Sequence, residues 1–292
     1  MTVSRPKKKR VVVSLVTFNS DIGVLRNTLL SLVREIQTVE SLGSIGFDRV
    51  FIVENFSNLY YREKLHGLVS NFRRNYEAIT FTLITLDENI GFGQAHNLAI
   101  FQSQSDYHLI LNPDLLIQCG SLNNALSNFE KNSNIGLIAP MIIDERGSPA
   151  RSHYNDLSIF DIFLRSLAPQ SIQNLFSRRI NKINSVPVDE TINSGKKAVF
   201  SGCAMLCRSS ALVQIGGFSK DYFLYFEDYD LSLRILQHHK AIVDSNFKVI
   251  HYGGETTKKG LRHWIYFLRS LVTFYFFSAR KKTERLYSKN DL

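Results

Sequence analysis

Four places in this chain hold residues whose type and spacing could do chemistry. Asp114 follows Asn112-Pro113 at the end of an apolar run. A carboxylate beside a proline-stiffened turn can bind a hard cation through oxygen, and it can equally close an Asx-type turn. Glu227, Asp228 and Asp230 stand together where a helical pattern begins. Acidic residues there complement the helix dipole, and Asp230 lies at the spacing of a local ion pair with Arg234. Adjacent Glu227 and Asp228 also repel each other, which raises a carboxylate pKa, and a raised pKa is what a general base needs. His251 ends another apolar run, where a histidine serves as a ligand or as a structural residue. Gly91-Phe92-Gly93 is a fragment of a dinucleotide-binding fingerprint, short of its third glycine at Ala95-His96, and its glycines permit close approach of backbone to a ligand.

These residues need elements to position them. Val11 to Thr17 is a continuous valine-rich run ending in Phe18-Asn19-Ser20, which predicts a buried strand that stops at a polar loop. Leu25 to Glu35 carries helical apolar spacing. Val50 to Val53 predicts a second strand ending in Glu54-Asn55, and Phe81 to Leu86 a third. A helix is expected from Gln94 to Gln102, then a fourth strand from Tyr107 to Leu111. Strands that alternate with helices and end in polar residues predict a parallel sheet with its ligands at the carboxyl ends. Residues 151–197, rich in Ser, Asn and Arg, look like a variable, partly mobile insertion with a helix at Ser158 to Leu167. Ala198 to Cys207 predicts a strand, Ile215 to Phe218 a turn, Glu227 to His239 an amphipathic helix and Ala241 to Ile250 a last strand.

Composition narrows the class. The chain has 292 residues, 44% hydrophobic and 21% charged, which suits one large α/β domain or two small ones and excludes wholesale disorder. A net charge of +9 points to anionic partners: nucleic acid, a membrane face or phosphorylated substrates. The basic runs Lys7 to Arg10 and Arg280, Lys281, Lys282, Arg285 read as solvated tails or as membrane contacts. Cys119, Cys203 and Cys207 imply no disulfide framework, and alternation would put Cys203 and Cys207 on one strand face as buried thiols. The basic start lacks an apolar core segment, so no signal peptide is expected and the chain reads as cytoplasmic. His263 to Ala279 is aromatic and apolar over about 17 residues and is interrupted by Arg269, which disfavours a membrane span. A helix packed on the domain, or lying in a membrane interface, fits that segment better. No internal repeat is visible.

Taken in order, several segments resemble the family 2 glycosyltransferases, and within them the bacterial rhamnosyltransferase-like branch. The matching pieces are Val16 to Asn19, Val53 to Ser57, Asn89 to Asn97 and Leu111 to Asp114. Gly216-Gly217-Phe218, then Phe223 to Leu231 with Arg234, and His251 with Gly254-Glu255-Thr256 complete the set. The resemblance implies a GT-A fold: a single α/β, Rossmann-like domain with a mixed central sheet, here over residues 11–255. A basic tail (1–10) would precede it and a C-terminal helical extension (256–292) would follow.

The roles the resemblance implies follow position by position. Thr17 and Asn19 would line the nucleotide pocket, and Glu54, where the family usually has Asp, would accept a hydrogen bond from the base. Asn89, Gly91 and Asn97 would contact the donor's sugar and phosphates. Asn112-Pro113-Asp114 takes the family's Asp-X-Asp position, leaving Asp114 as the main metal contact, with His251 as a second ligand for Mn²⁺ or Mg²⁺. Asp228 would be the catalytic base of an inverting displacement, positioned or tuned by Glu227. Arg234 would hold the helix start or approach the phosphates. The donor implied first is dTDP-L-rhamnose, with UDP-galactofuranose, UDP-galactose or UDP-N-acetylglucosamine as alternatives. The acceptor would be a growing lipid-linked bacterial surface glycan at the inner membrane face, with peripheral membrane contact and no nucleic-acid partner. Two rivals compete: a nucleotidyl-transferring enzyme, which usually opens with a glycine-rich basic loop unlike Val16 to Asn19, and a non-catalytic sugar- or nucleic-acid-binding module, which would leave Asp114, Asp228 and His251 unexplained.

Overall fold

The computed structural model describes residues 8–43, 45–155, 158–166, 168–184, 191–252 and 260–277. The first half runs β1 (Lys9–Thr17), α1 (Ile22–Ser41), β2 (Ile45–Glu54), α2 (Leu59–Asn75), β3 (Phe81–Thr85), α3 (Phe92–Gln102) and β4 (Tyr107–Leu111). Next come β5 (Leu115–Ile117), α4 (Ser121–Lys131), β6 (Ile135–Asp144), β7 (Pro149–Ala150) and β8 (His153–Asn155). Short helices α5 (Ile159–Ser166), α6 (Gln170–Leu175) and α7 (Ser177–Asn184) lead to β9 (Thr191–Ile192) and β10 (Ala198–Phe200). The chain continues through β11 (Ala204–Arg208), α8 (Ser209–Gln214), α9 (Glu227–Leu236), β12 (Lys240–His251) and α10 (Gly260–Val272), with a π-helical turn at Thr273–Phe277.

The central sheet has the order β3-β2-β1-β4-β11-β6-β12-β5. The first four strands are parallel, as their continuous apolar runs predict. β11 enters antiparallel to both β4 and β6, which makes the sheet mixed. One core lies between the sheet and α1, α2 and α4, with Leu25, Leu29, Leu65, Val69, Leu122 and Leu126 buried on it. A second core lies under α3, α8 and α9, with Ile100, Leu212, Leu231 and Ile235. Each fully buried leucine stabilises by roughly 2 kcal/mol relative to exposure. Asp21 caps α1 by accepting the Val24 N–H at 2.8 Å.

Four expectations change. Ala198 to Cys207 is not one strand: β10 pairs with β8 in a separate ribbon, and β11 joins the main sheet after a break at residues 201–203. The break lets Gly202 pass beneath α9, where a Cβ would stand 2.9 Å from the Asp228 Cβ. Cys203 falls within the break, so strand alternation begins only at Ala204. Cys203 therefore packs into the first core and Cys207 into the second, both buried and free. Among the described residues of 151–197 there are three helices and two short strands, where weak periodicity suggested little beyond one helix. The α9 helix ends at Leu236, earlier than His239.

The aromatic C-terminal segment is helical and packs on the domain. Phe274 is buried in a cluster with Tyr222, Phe226 and Leu233, against which Phe267 and Leu271 also pack. Among the described residues no helix is long and apolar enough to cross a membrane. Gly254, Glu255, Thr256 and the basic run from Arg280 to Arg285 lie outside the described residues.

Candidate active site

Strand register builds the rim. Thr17 pairs with Glu54, Glu54 with Thr85 and Leu15 with Leu111, so β1 to β4 end nearly level and their loops share one edge. Among the described residues, the non-glycine residues with positive φ are Asn19 (49°), Phe56 (66°), Tyr225 (70°) and Phe226 (65°). All four lie in the loops after β1 and β2 or in the loop that leads into α9. A left-handed bulky residue costs on the order of 1–3 kcal/mol and persists only where its surroundings over-determine it.

On one side of the rim the loops are tied to each other. Thr17 is buried and hydrogen-bonds the Ser20 hydroxyl at 3.0 Å and the Tyr61 hydroxyl. Asn19 accepts from the Asn58 backbone N–H (3.0 Å) and side-chain amide (2.7 Å). Glu54 has no exposed surface; one oxygen takes the Ser57 N–H and the other faces Arg62 Nε at 2.9 Å. That second oxygen and the Arg62 Nε form an ion pair, and neither atom has a hydrogen-bond partner. Asn55 donates to Asn89 Oδ1 (3.0 Å) and accepts the Ile90 N–H (3.0 Å), which fixes the loop that carries Gly91. Gly91 has φ 86°, and a Cβ there would lie 2.4 Å from the Phe223 carbonyl oxygen. The adjoining Phe92 N–H donates to that oxygen at 3.0 Å. Asn97 and Arg234 also turn inward. Asn97 exchanges two hydrogen bonds of 2.9 Å with the Phe218 backbone, and Arg234 pairs with Asp230 (2.7 Å) while donating to the Ile215 and Gly217 carbonyls.

On the other side the structure brings together Asp114 and His251. β5 pairs antiparallel with β12, opposing Leu115 to His251. Asp114 Oδ1 then lies 3.4 Å from His251 Nε2, and the Asp114 carbonyl accepts the Tyr252 N–H at 2.9 Å. Asp114 Oδ1 is buried with no hydrogen bond, and so is Asn112 Oδ1. Buried polar atoms without partners are few in folded proteins, and each needs a reason. Among the described residues, no cluster of three or more His, Cys, Asp or Glu is placed to hold a metal.

Asp228 reaches the same edge through the β10–β11 break. Its Oδ2 accepts the Gly202 N–H at 2.7 Å, and its Oδ1 the Tyr229 N–H at 2.9 Å. Next in the chain, the Cys203 carbonyl accepts the Asn112 N–H at 2.8 Å. Cys203 thus lies between Asp114 and Asp228; burial pushes its thiol up to about 12, and both carboxylate charges add to the rise. Burial raises Asp228 to about 6 against the opposing pull of the Gly202 and Tyr229 N–H groups. Glu227 is 4% exposed with Oε2 unpartnered. Burial first, and the neighbouring Asp228 second, hold its carboxyl well above the usual range.

Sequence reasoning missed Gly202, Asn55 and Arg62. Gly202 stands in an apolar run that reads as strand, and Arg62 meets Glu54 only through the turn between β2 and α2. Asn55 was within a matched motif without an assigned role. The loop before α9 was also silent: the Ser270 hydroxyl donates to the Leu224 carbonyl (2.8 Å), and the Tyr225 hydroxyl meets His263 Nδ1 (2.9 Å).

Comparison with known proteins agrees with this architecture. The family model described as glycosyl transferase family 2 matches residues 12–211. An N-acetylglucosaminyl-diphospho-decaprenol L-rhamnosyltransferase of Mycobacterium tuberculosis is 27% identical over 165 residues, 52% of each chain. Rhamnosyltransferase WbbL of Escherichia coli is 27% identical over 152 residues, 50% of this chain and 54% of that one. The chain thus spans about half the length of the curated relatives it matches. Among solved structures, GalNAc-T7 with UDP, GalNAc and Mn²⁺ aligns with TM-score 0.59 at 16% identity, covering 84% of this chain and 44% of that one. The mannosyltransferase PcManGT from Pyrobaculum calidifontis, with GDP-Man and Mn²⁺, aligns with TM-score 0.57 at 15% identity, covering 89% and 60%. Similarity to these two is one of fold.

Proposed function

The chain belongs to glycosyl transferase family 2 and is a glycosyltransferase of GT-A fold, and on that footing we propose that it transfers L-rhamnose from dTDP-L-rhamnose, with inversion, to a lipid-linked glycan at the inner membrane face. The observation that carries the chemistry is the pairing of Asp114 with His251 beside Asp228, joined through Gly202, Cys203 and Asn112. The donor and acceptor follow the two rhamnosyltransferase relatives, one of them named for a diphospho-decaprenol acceptor.

Asp228 takes the proton of the acceptor hydroxyl as that oxygen attacks the anomeric carbon. Its Oδ2 is aimed by Gly202 and its Oδ1 by Tyr229, which fixes the carboxylate before substrate arrives. A value near 6 leaves it ionised at neutral pH yet basic enough to accept a proton. Glu227, buried beside it, keeps that carboxylate's surroundings poor in water. Asp114 Oδ1, with no donor to satisfy it, and His251 form an oxygen–nitrogen pair that fits a divalent cation such as Mn²⁺. When bound, that ion supplies Lewis-acid stabilisation to the departing nucleoside diphosphate. Asn55 and Asn89 hold the Gly91 loop, whose bare Cα closes on the Phe223 carbonyl and so fixes the loop that borders the donor's phosphates. Thr17 and Asn19 shape the nucleotide end through their own hydrogen bonds, while Glu54, Asn97 and Arg234 brace the loops around it.

A thermal-shift screen of dTDP, UDP and GDP, each with and without Mn²⁺ or Mg²⁺, tests the site, because a ligand of the native state alone raises Tm by mass action. A metal-dependent rise with dTDP that disappears in Asp114→Ala is expected. A rise with UDP only would replace the donor by a UDP-sugar. No rise with any nucleotide, from folded protein, would overturn the reading.

A further inference from the structure

Both faces of α10 are apolar. Phe267, Ser270, Leu271 and Phe274 recur at i, i+3, i+4 and i+7 and turn inward, onto the loop that leads into Glu227 and Asp228. Ile265, Leu268, Arg269 and Val272 repeat the same spacing on the opposite side. There Ile265 is 57% exposed, Leu268 48% and Val272 47%, and the stripe continues to Phe276 at 50%. Apolar side chains exposed in one continuous stripe signal a partner rather than scatter. Its charge says which. Arg262 and Arg269 are exposed on the same stripe. In sequence the helix is preceded by Lys258-Lys259 and followed by Arg280-Lys281-Lys282, with no acidic residue from Gly260 to Lys282. An apolar stripe whose charged members are Arg262 and Arg269 complements a surface that is apolar inside and anionic outside.

We propose that the outer face of α10 is a docking surface for an anionic lipid bilayer, with Ile265, Leu268, Val272 and Phe276 entering the headgroup boundary and Arg262 and Arg269 on the phosphates. Helices of this kind lie in the interface plane, and their binding combines buried apolar area with attraction to anionic lipid. The inner face of the same helix holds Leu224 through Ser270 and Tyr225 through His263. Docking therefore presents the Asp228 loop to whatever the membrane carries. The surface stands on its own observations; its use in delivering an acceptor rests on the lipid-linked reading above.

Flotation of the full chain with phosphatidylglycerol vesicles, against phosphatidylcholine vesicles, tests this without donor or acceptor. Wild type is expected to float with phosphatidylglycerol vesicles, more weakly at high salt, and far less with phosphatidylcholine. Leu268→Glu with Val272→Glu lowers the vesicle-bound fraction at least tenfold while Tm stays within a few degrees, because both side chains face outward. Arg262→Ser with Arg269→Ser lowers binding and flattens its salt dependence. Should the double Glu variant be unstable, Leu268→Ser with Val272→Ser is read in its place. Absence of flotation with phosphatidylglycerol, or flotation unaltered by the apolar substitutions, would overturn the proposal. So would a wild-type dimer that becomes monomeric in those variants, since a second copy would then cover the face. Vesicle binding by a protein that transfers no sugar would count against the function proposed above and leave the docking surface standing.

Discussion

Burial governs the two adjacent acids at the start of α9, and it sets their effect on stability as well as on rate. Glu227 is raised well above its ordinary value of 4.5, so the folded chain holds a proton that the unfolded chain releases as pH rises past that value. Folded-state stability therefore falls as pH climbs from about 4.5 toward neutrality. Glu227→Gln removes that cost. Its Tm is expected to match wild type near pH 4.5 and to exceed it by several degrees at pH 7.5, as scanning calorimetry across that range would show. Equal Tm differences at both ends would mean the carboxyl is not held protonated. Gly202 makes a second residue-scale case. An alanine Cβ would press on Asp228 Cβ at 2.9 Å and on its Oδ2 at 3.3 Å. Gly202→Ala is expected to lower kcat about 10- to 100-fold by displacing the base, with KM for the donor nearly unchanged. Steady-state kinetics at varied donor separates the two parameters.

At the scale of elements, the site depends on loops held by other loops. The Gly91 turn and the Phe223 carbonyl meet so closely that only hydrogen fits between them, and the Phe92 N–H completes the contact. Gly91→Ala is expected to destabilise by roughly 2 kcal/mol or more, since it adds a clash to a left-handed φ. Urea unfolding would measure it, and a loss under about 0.5 kcal/mol would show that the turn can relax. The strands β1 to β4 were legible because continuous valine, isoleucine and leucine runs ending in polar residues have few other readings. The β10–β11 break was not, because Gly202 and Cys203 look like strand residues until α9 is packed over them. Asp114 and His251 are 137 positions apart, and only the β5–β12 pairing makes them neighbours. The resemblance could name both, whereas periodicity could not join them. It also implied a nucleobase contact for Glu54, whose carboxylate lies buried at the end of β2 and ion-paired with Arg62.

For the molecule as a whole, one sheet edge gathers the loops after β1, β2, β3 and β4, and the antiparallel entry of β11 brings the α9 acids to that edge. The positive φ values of Tyr225 and Phe226 are held from outside the sheet by α10. The C-terminal helix is thus part of the site's scaffold. A glycosyltransferase built this way should separate donor binding from proton transfer, with the first at the Asp114–His251 side and the second at Asp228. Release of dTDP from dTDP-L-rhamnose, followed with a lipid-diphosphate-GlcNAc acceptor and Mn²⁺ from pH 5 to 9, compares wild type with Asp228→Asn most directly. Wild-type kcat should fall below a limb near pH 6, where Asp228 takes up its proton. Asp228→Asn should still bind dTDP with Mn²⁺ and yet turn over about 10²- to 10⁴-fold more slowly, with that limb gone. An Asp228→Asn enzyme that keeps wild-type turnover and the same acid limb would contradict the assignment of Asp228 as the base.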